Sequence, residues 1–294
     1  SSAGENNKSG KIIIGVVYLP HISNFTDFNA FELEKDVSLI YIRDNKELKD
    51  LRPHMIIIPG SKSTISNLLY LRRSGLEEEI RKQHKKGAVV FGICGGFQIL
   101  GKNITDKFKS ESPDADNING IGLMDINTEF LQNKSTYQVE FEVNGDVFNC
   151  NSYLKEMSRR FINSKMEAMK GYEIHMGISK PVPGKSGKLI PLFKVKSRGD
   201  DITNFNDGFI KFENKTPGIA LGTYIHGIFD NCTFRKFILE LLRKKNSISI
   251  RGTDINDAAI SYAIFKEEQY NMLADVFREN MDMELFYKII RYGL

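Results

Sequence analysis

Three stretches of the chain hold residue types whose spacing could do covalent chemistry, and the sharpest is Phe91-Gly92-Ile93-Cys94-Gly95-Gly96-Phe97-Gln98. An apolar run ends, a cysteine sits among small residues, and helix-forming residues follow. This is the cysteine form of a nucleophile elbow. Its turn is tight and strains the nucleophile's backbone, so glycines surround it. N–H groups at the start of the following helix favour a thiolate over a thiol. The N–H of Gly95 is placed to receive the oxyanion formed when a thiolate attacks a carbonyl. A lone cysteine elsewhere is most simply a small buried hydrophobe. The glycines between strand and helix set Cys94 apart from Cys150 and Cys232.

A thiolate nucleophile needs a base to hold its proton and pass it to a leaving amine. That partner is expected far away in sequence. Leu221-Gly222-Thr223-Tyr224-Ile225-His226-Gly227 delivers His226 from a strand into a Gly-flanked turn. His175, in Gly171-Tyr172-Glu173-Ile174-His175-Met176-Gly177, is its rival. His21, His54 and His84 lie in polar, loop-like or helix-like contexts. The third stretch is Ile57-Ile58-Pro59-Gly60-Ser61-Lys62-Ser63-Thr64. A phosphate loop needs GxxxxGK[ST], but here Ser61 precedes Lys62 and Ile56 stands at the first glycine position. The stretch reads as a strand-end turn whose backbone N–H groups, at Gly60 and Ser61, supply the second oxyanion donor. A plain turn and helix cap is the other reading.

These residues need a scaffold. Ile12–Tyr18, Val37–Ile42, Met55–Ile58 and Ala88–Ile93 are short apolar runs that read as buried strands. Asp27–Glu34, Ile65–Arg73 and Leu76–Lys86 read as helices between them. The last is acidic early and basic late, as the helix dipole prefers. Such alternation predicts βαβ units and a parallel sheet. After Asn103 the pattern changes. Thr105–Asn119 is a polar loop, and Gly122–Phe130, Ser135–Val143 and Asp146–Cys150 read as antiparallel strands, with Asn144-Gly145 as a hairpin turn. Residues 151–169 read as a helical insertion. Tyr172–Ile178, Leu189–Val195 and Gly208–Glu213 are further strands, Ile219–Tyr224 returns to the main sheet, and Phe234–Lys244 is an amphipathic helix. From Asp254 onward more helices follow, with apolar spacing at Tyr270, Leu273, Ala274 and Phe277.

The expected class is α/β, with a mixed sheet, antiparallel additions and a helical C-terminal extension. Residues 1–10 are polar linker or tag material, 11–250 form one domain, and 251–294 form a helical extension packed on it. Hydrophobic residues make up 41% and charged residues 27%, which argues against global disorder. The net charge of +4, from 41 basic and 37 acidic residues, is too mild and dispersed to imply nucleic-acid binding. No apolar run approaches the ~18 residues that span a bilayer, and no signal segment opens the chain. Three cysteines without a CxxC argue against a disulfide framework or a Cys-rich zinc site, and for a reducing cytoplasm.

The elbow GICGGFQ, the turn IIPGSKST, the segment GYEIHMG, the ending GTYIHGIFDN and the opening HISNFTDF together resemble one family. It is the class I glutamine amidotransferase domain of the cobyric acid synthases. The likeness runs from about Lys11 to Leu294, and the order and joint presence of the motifs make it specific. The resemblance implies a flavodoxin-like core and a glutaminase with no cofactor or metal of its own. Cys94 would attack the side-chain carboxamide of L-glutamine and release ammonia, and the thioester would be hydrolysed to glutamate. His226 matches the family's catalytic histidine, and Gln98 matches the residue that helps hold the glutamine. The resemblance also implies a partner, an ATP-dependent synthetase domain in the same full-length chain or a separate one. That domain would use ATP and Mg²⁺ to amidate a corrinoid, adenosylcobyrinic acid a,c-diamide, on the way to cobalamin. Nothing here resembles its phosphate loop. No nucleic-acid or membrane partner is implied.

Class I amidotransferases commonly carry Glu two residues after the histidine, and here that position is Ile228. The cobyric acid synthase branch shares this lack. A Cys–His dyad can work, because the third group orients the imidazole and need not move a proton. Glu173 is the candidate orienting residue and Asp230 the second choice; Glu173 equally reads as a residue that holds its own strand. The stretch 151–169 is also longer than the family's usual link. The amidotransferase subunit of lipid II isoglutaminyl synthase shares the GICGGxQ elbow, but HISNFTDF, GYEIHMG and the long helical C-terminus favour the first family. Cobyrinate a,c-diamide synthase usually lacks Gln at position 98. A non-catalytic binding module would not need Cys94, His226 and Gln98 intact.

Overall fold

The computed structural model describes residues 10–111, 116–150, 154–158, 168–184, 189–213, 216–248 and 262–293. The expected linker therefore lies almost wholly outside the described residues. The parallel strands form where the apolar runs stand: β1 (Ile12–Val17), β2 (Val37–Ile42), β3 (Met55–Ile58) and β4 (Val89–Ile93). All residues of β1, β3 and β4 are buried, as strands covered on both faces require. Between them lie α1 (Asn45–Leu51), α2 (Thr64–Arg73) and α3 (Leu76–Lys85). The short α4 (Gly95–Leu100) follows β4. α1 leaves little trace in the hydrophobic pattern, because only Leu48 is buried. It is set instead by Asp44, whose side chain accepts from Glu47 N at 2.8 Å.

The second half adds β5 (Asn103–Thr105), β6 (Asn117–Asn119), β7 (Ile126–Val143), a helical turn α5 at 154–158, β8 (Met169–Pro181), β9 (Leu189–Arg198), β10 (Asp201–Phe212), β11 (Ile219–Thr223) and β12 (Ile225–His226). The main strand order is β12-β8-β7-β9-β10-β11-β4-β3-β1-β2. β11 runs parallel to β4 and antiparallel to β10, so it joins a parallel half to an antiparallel half. This is the expected mixed sheet.

Three local expectations change. Asp27–Glu34 is a 3₁₀ segment, Phe25–Leu33, with Phe28 and Phe31 buried at the three-residue spacing of that helix. Gly122–Phe130 and Ser135–Val143 fall largely within one strand, β7, whose pairing with β8 shifts register between Phe130 and Ser135. Asp146–Cys150 is not a strand. Asn144 accepts from Asp146 N at 3.0 Å, and this self-contained Asx turn leads into a 3₁₀ turn at Gly145–Asn149. Of the insertion expected at 151–169, residues 154–158 are helical, Met169 starts β8, and 151–153 and 159–167 lie outside the described residues.

α6 (Cys232–Asn246) follows β12 through a 3₁₀ turn, Ile228–Asp230. Phe31 packs on Phe229 with ring centroids 4.6 Å apart, and Phe91 on Phe229 at 5.3 Å. Such pairs add about 0.5–1.5 kcal/mol each beyond their buried area. Buried Arg235 donates to Phe229 O and to Glu34 Oε1, both at 2.7 Å. The 3₁₀ segment after β1 and the turn after β12 are thus locked together. Contacts along the chain divide it into Ser1–Thr253 and Asp254–Leu294. In the second unit α7 (Tyr262–Asn280) and α8 (Met283–Tyr292) meet through Phe277 and Phe286, 5.4 Å apart. No described helix is long and apolar enough to cross a membrane.

Candidate active site

The C-terminal ends of β1, β3, β4 and β11 converge, the usual place for a site in an open α/β sheet. Cys94 stands between β4 and α4 with φ 50° and ψ −109°, a left-handed backbone that costs energy for a residue with a side chain. Its N–H donates to Thr223 O at 2.8 Å, and its thiol lies 3.5 Å from Ile174 O. The elbow presses on the neighbouring strand end: a Cβ on Gly96 would lie 2.0 Å from Ile58 O.

β12 brings His226 to this point. A Cβ on Gly60 would stand 2.8 Å from His226 Cε1 and 3.6 Å from Cys94 Cβ, so the backbone after β3 passes beside both side chains. The Cys94 thiol lies close enough to the imidazole to favour its protonated form. The ring's other contact is Asp27, whose Oδ2 is 2.7 Å from His226 Nδ1 while its Oδ1 accepts from Gly227 N at 3.0 Å. Burial opposes a charge on the imidazole, but the hydrogen bond with Asp27 and the nearby Cys94 outweigh it and push His226 up to about 10. Tyr172 stacks on the ring at 5.2 Å, and the Asn24 carboxamide sits 3.0 and 3.3 Å from its two nitrogens.

The turn after β3 lies beside the elbow. A Cβ on Gly95 would be 3.0 Å from Ser61 Oγ and 3.5 Å from Ser61 N. Ser61 Oγ has no hydrogen-bond partner among the described residues. The turn is held by the segment after β1, where Ser23 N donates to Gly60 O at 3.0 Å and Lys62 N to His21 O at 3.1 Å. Gln98 is buried in α4. Its Oε1 accepts from Thr64 Oγ1 at 2.9 Å, and its Nε2 donates to Tyr224 Oη at 3.3 Å. The N–H groups of Thr64 and Ile65 donate to Glu111 at 2.6 and 3.3 Å. That carboxylate takes the place a phosphate would need, so the turn does not fit a nucleotide.

Five sequence-derived residues thus come together: Cys94, His226, Gly60, Ser61 and Gly95, with Gln98 one side chain away. Glu173 does not join the imidazole. Its carboxylate accepts from Arg198 Nε at 3.0 Å and also from Arg198 Nη2, and it lies 3.8 Å from His175 Nε2. Burial works against its charge, yet these partners hold the carboxyl below its usual range. Asp230 lies in the turn after β12, and it is Asp27 that occupies the Nδ1 side. The rival His175 stacks on Tyr224 at 4.0 Å, with Nδ1 2.9 Å from Gly177 O. His54 accepts from Ile13 N at 2.9 Å, and His84 is buried in α3. Among the described residues no three His, Cys, Asp or Glu side chains are grouped to hold a metal ion.

Residues 13–234 match the family described as CobB/CobQ-like glutamine amidotransferase domain. The chain belongs to that family. Its similar relatives include cobyric acid synthases of Clostridium tetani, 39% identical over 284 residues (97% of this chain, 50% of theirs), and of Clostridium novyi, 38% identical over 288 residues (98% and 50%). The chain therefore spans about half the length of the curated relatives it matches. Among solved structures, PurLQS from Thermotoga maritima shares the fold, with a TM-score of 0.52 and 20% identity over 79% of this chain and 99% of that one.

Two residues of this amidotransferase domain were not singled out by sequence reasoning, Asp27 and Asn24. Both stand in the HISNFTDF stretch, so the signal was present as a motif without a role. An aspartate between two phenylalanines, Phe25 and Phe28, carries no spacing that points to a histidine 199 positions away.

Proposed function

We propose that this domain is the glutaminase of a cobyric acid synthase, with Cys94 as nucleophile, His226 as base and acid, and Asp27 as the positioning residue. The observation that carries this reading is the buried His226 imidazole set on the Asp27 carboxylate, beside Cys94 at a strained elbow. His226 takes the thiol proton, and the thiolate attacks the side-chain carbonyl carbon of glutamine. The oxyanion is received by the N–H groups of Gly95 and Ser61, beside Gly60. His226 returns the proton to the amine, and ammonia leaves a γ-glutamyl thioester. Water then gives its proton to His226 and attacks the thioester; glutamate leaves and Cys94 regains a proton. Gln98, fixed by Thr64 and Tyr224, lines the glutamine side of the site.

Ammonia is useful only where it is consumed. By likeness to the cobyric acid synthases, that place is an ATP- and Mg²⁺-dependent synthetase portion, where peripheral carboxylates of adenosylcobyrinic acid a,c-diamide would be amidated in the cytoplasm. The test is glutamate and ammonia release from glutamine, with and without that portion. Cys94→Ala abolishes release, Cys94→Ser loses nearly all of it because an alkoxide forms far less readily, and a glutamine-like diazo-ketone labels Cys94 alone. Labelling first at Cys150 or Cys232, or no release with any synthetase partner, sinks the reading.

A further inference from the structure

Behind the site lies a buried carboxylate that the reaction does not use. Asp207 of β10 is 6% exposed. It accepts from the Thr223 hydroxyl and, at 3.3–3.4 Å, from Tyr224 N. The hydroxyl in turn accepts from Ile225 N at 3.0 Å. A hydroxyl has one proton and two lone pairs; a carboxylate only accepts. The hydroxyl therefore donates to Asp207 and keeps a lone pair to accept from Ile225 N. The backbone carbonyl of the same Thr223 accepts from Cys94 N at 2.8 Å.

The Thr223–His226 turn is where β11 breaks and β12 begins. Tyr224 and His226 leave it in different directions, toward Gln98 and toward Cys94. Next to Asp207, Gly208 has φ +66°, and a Cβ there would lie 2.3 Å from Gly222 O. A side chain at that position would not fit against the end of β11, and the close approach of β10 brings the carboxylate under the turn. Burial pushes Asp207 up to about 7 against the Thr223 hydrogen bond; Glu173 and His175 of β8 face it, Glu173 being paired with Arg198. A carboxylate costs free energy in such a place unless its hydrogen bonds offset the loss of water.

We propose that Asp207 is a positioning residue: its carboxylate holds the Thr223–His226 turn so that His226 meets Cys94 and Tyr224 meets Gln98. The consequence for rate rests on the glutaminase reading above; the consequence for Cys94 reactivity does not. The experiment is the pH profile of Cys94 alkylation by iodoacetamide in the full chain, together with kcat and KM for glutamine. In Asp207→Asn the acid limb of alkylation moves up by about one pH unit and kcat falls about tenfold, with KM changed less. Thr223→Val, which removes the hydroxyl at nearly constant shape, moves the limb the same way. Asp201→Asn, at the exposed start of the same strand, leaves both unchanged. A folded Asp207→Asn with the wild-type limb overturns the proposal, even if its melting temperature is lower. Should Asp207→Asn fail to fold, an unmoved limb in Thr223→Val overturns it instead. If the limb moves but no variant or wild type releases glutamate, the glutaminase reading fails and the positioning role stands.

Discussion

Asp27→Asn exchanges one oxygen for an amide nitrogen and should disable the imidazole without disturbing the packing around it. Gly227 N needs an acceptor, so the remaining oxygen stays on it, as Oδ1 does now at 3.0 Å. The new NH₂ then faces His226 Nδ1, where Oδ2 stands at 2.7 Å. It can only donate there. His226 must keep its proton on Nε2 and can no longer take the one on Cys94, the wrong-tautomer effect known from Ser-His-Asp triads. The magnitude follows from the hydrogen bond that is lost. Asp27 and Cys94 raise the imidazole from 6.5 to about 10 against burial, and a hydrogen bond to a charged group contributes about 1.5–3 kcal/mol. Its loss predicts a fall in kcat of about 10- to 150-fold, with KM within about threefold.

The assay is glutamate release across pH 5.5 to 9.5, with circular dichroism to confirm folding. Stability gives a second readout with a defined sign. The raised imidazole stabilises the fold fully below its unfolded value of 6.5, and that stabilisation is lost as pH rises toward about 10. The stability difference between wild type and Asp27→Asn should therefore shrink across that window. A folded Asp27→Asn with kcat within about threefold of wild type would refute the reasoning, because the carboxylate would then not be setting the tautomer.

Glu173→Gln should leave glutamine hydrolysis within about twofold, since its carboxylate serves Arg198 and not His226; a large loss of kcat would return it to the imidazole. Arg198→Ala should cost about 2–3 kcal/mol in urea unfolding, by leaving a buried carboxylate without its main partner; a change under about 0.5 kcal/mol would show that water replaces it. Burial lowers His84 to about 4, so stability should fall as pH drops below 6.5, by about 2 kcal/mol near pH 5, and His84→Gln should remove that part of the pH dependence. Gly96→Ala, with its Cβ 2.0 Å from Ile58 O, should cost about 3 kcal/mol or more and abolish alkylation of Cys94; a stable, reactive variant would mean that the elbow can shift.

What the sequence determined by itself was everything carried by contiguous residues. A cysteine elbow needs its glycines next to it, so Cys94 and Gly95 are legible as a motif, and Gln98 follows one helical turn later. Buried parallel strands need continuous apolar runs, so β1, β3 and β4 lie where those runs lie. Local turn chemistry was less legible: Asn144 satisfies Asp146 N itself and ends β7 in a 3₁₀ turn where a hairpin was expected. Only the tertiary structure decided which carboxylate serves the histidine. Glu173, Asp230 and Asp27 are equally capable acceptors, and no periodicity ranks them. The choice was made by packing: Phe31 and Phe229 draw the segment after β1 against the turn after β12, which buries Asp27 on Nδ1. Arg198 reaches Glu173 across the antiparallel sheet and keeps that carboxylate for itself. A long-range ion pair depends on which strands become neighbours, and that is settled when the whole core closes.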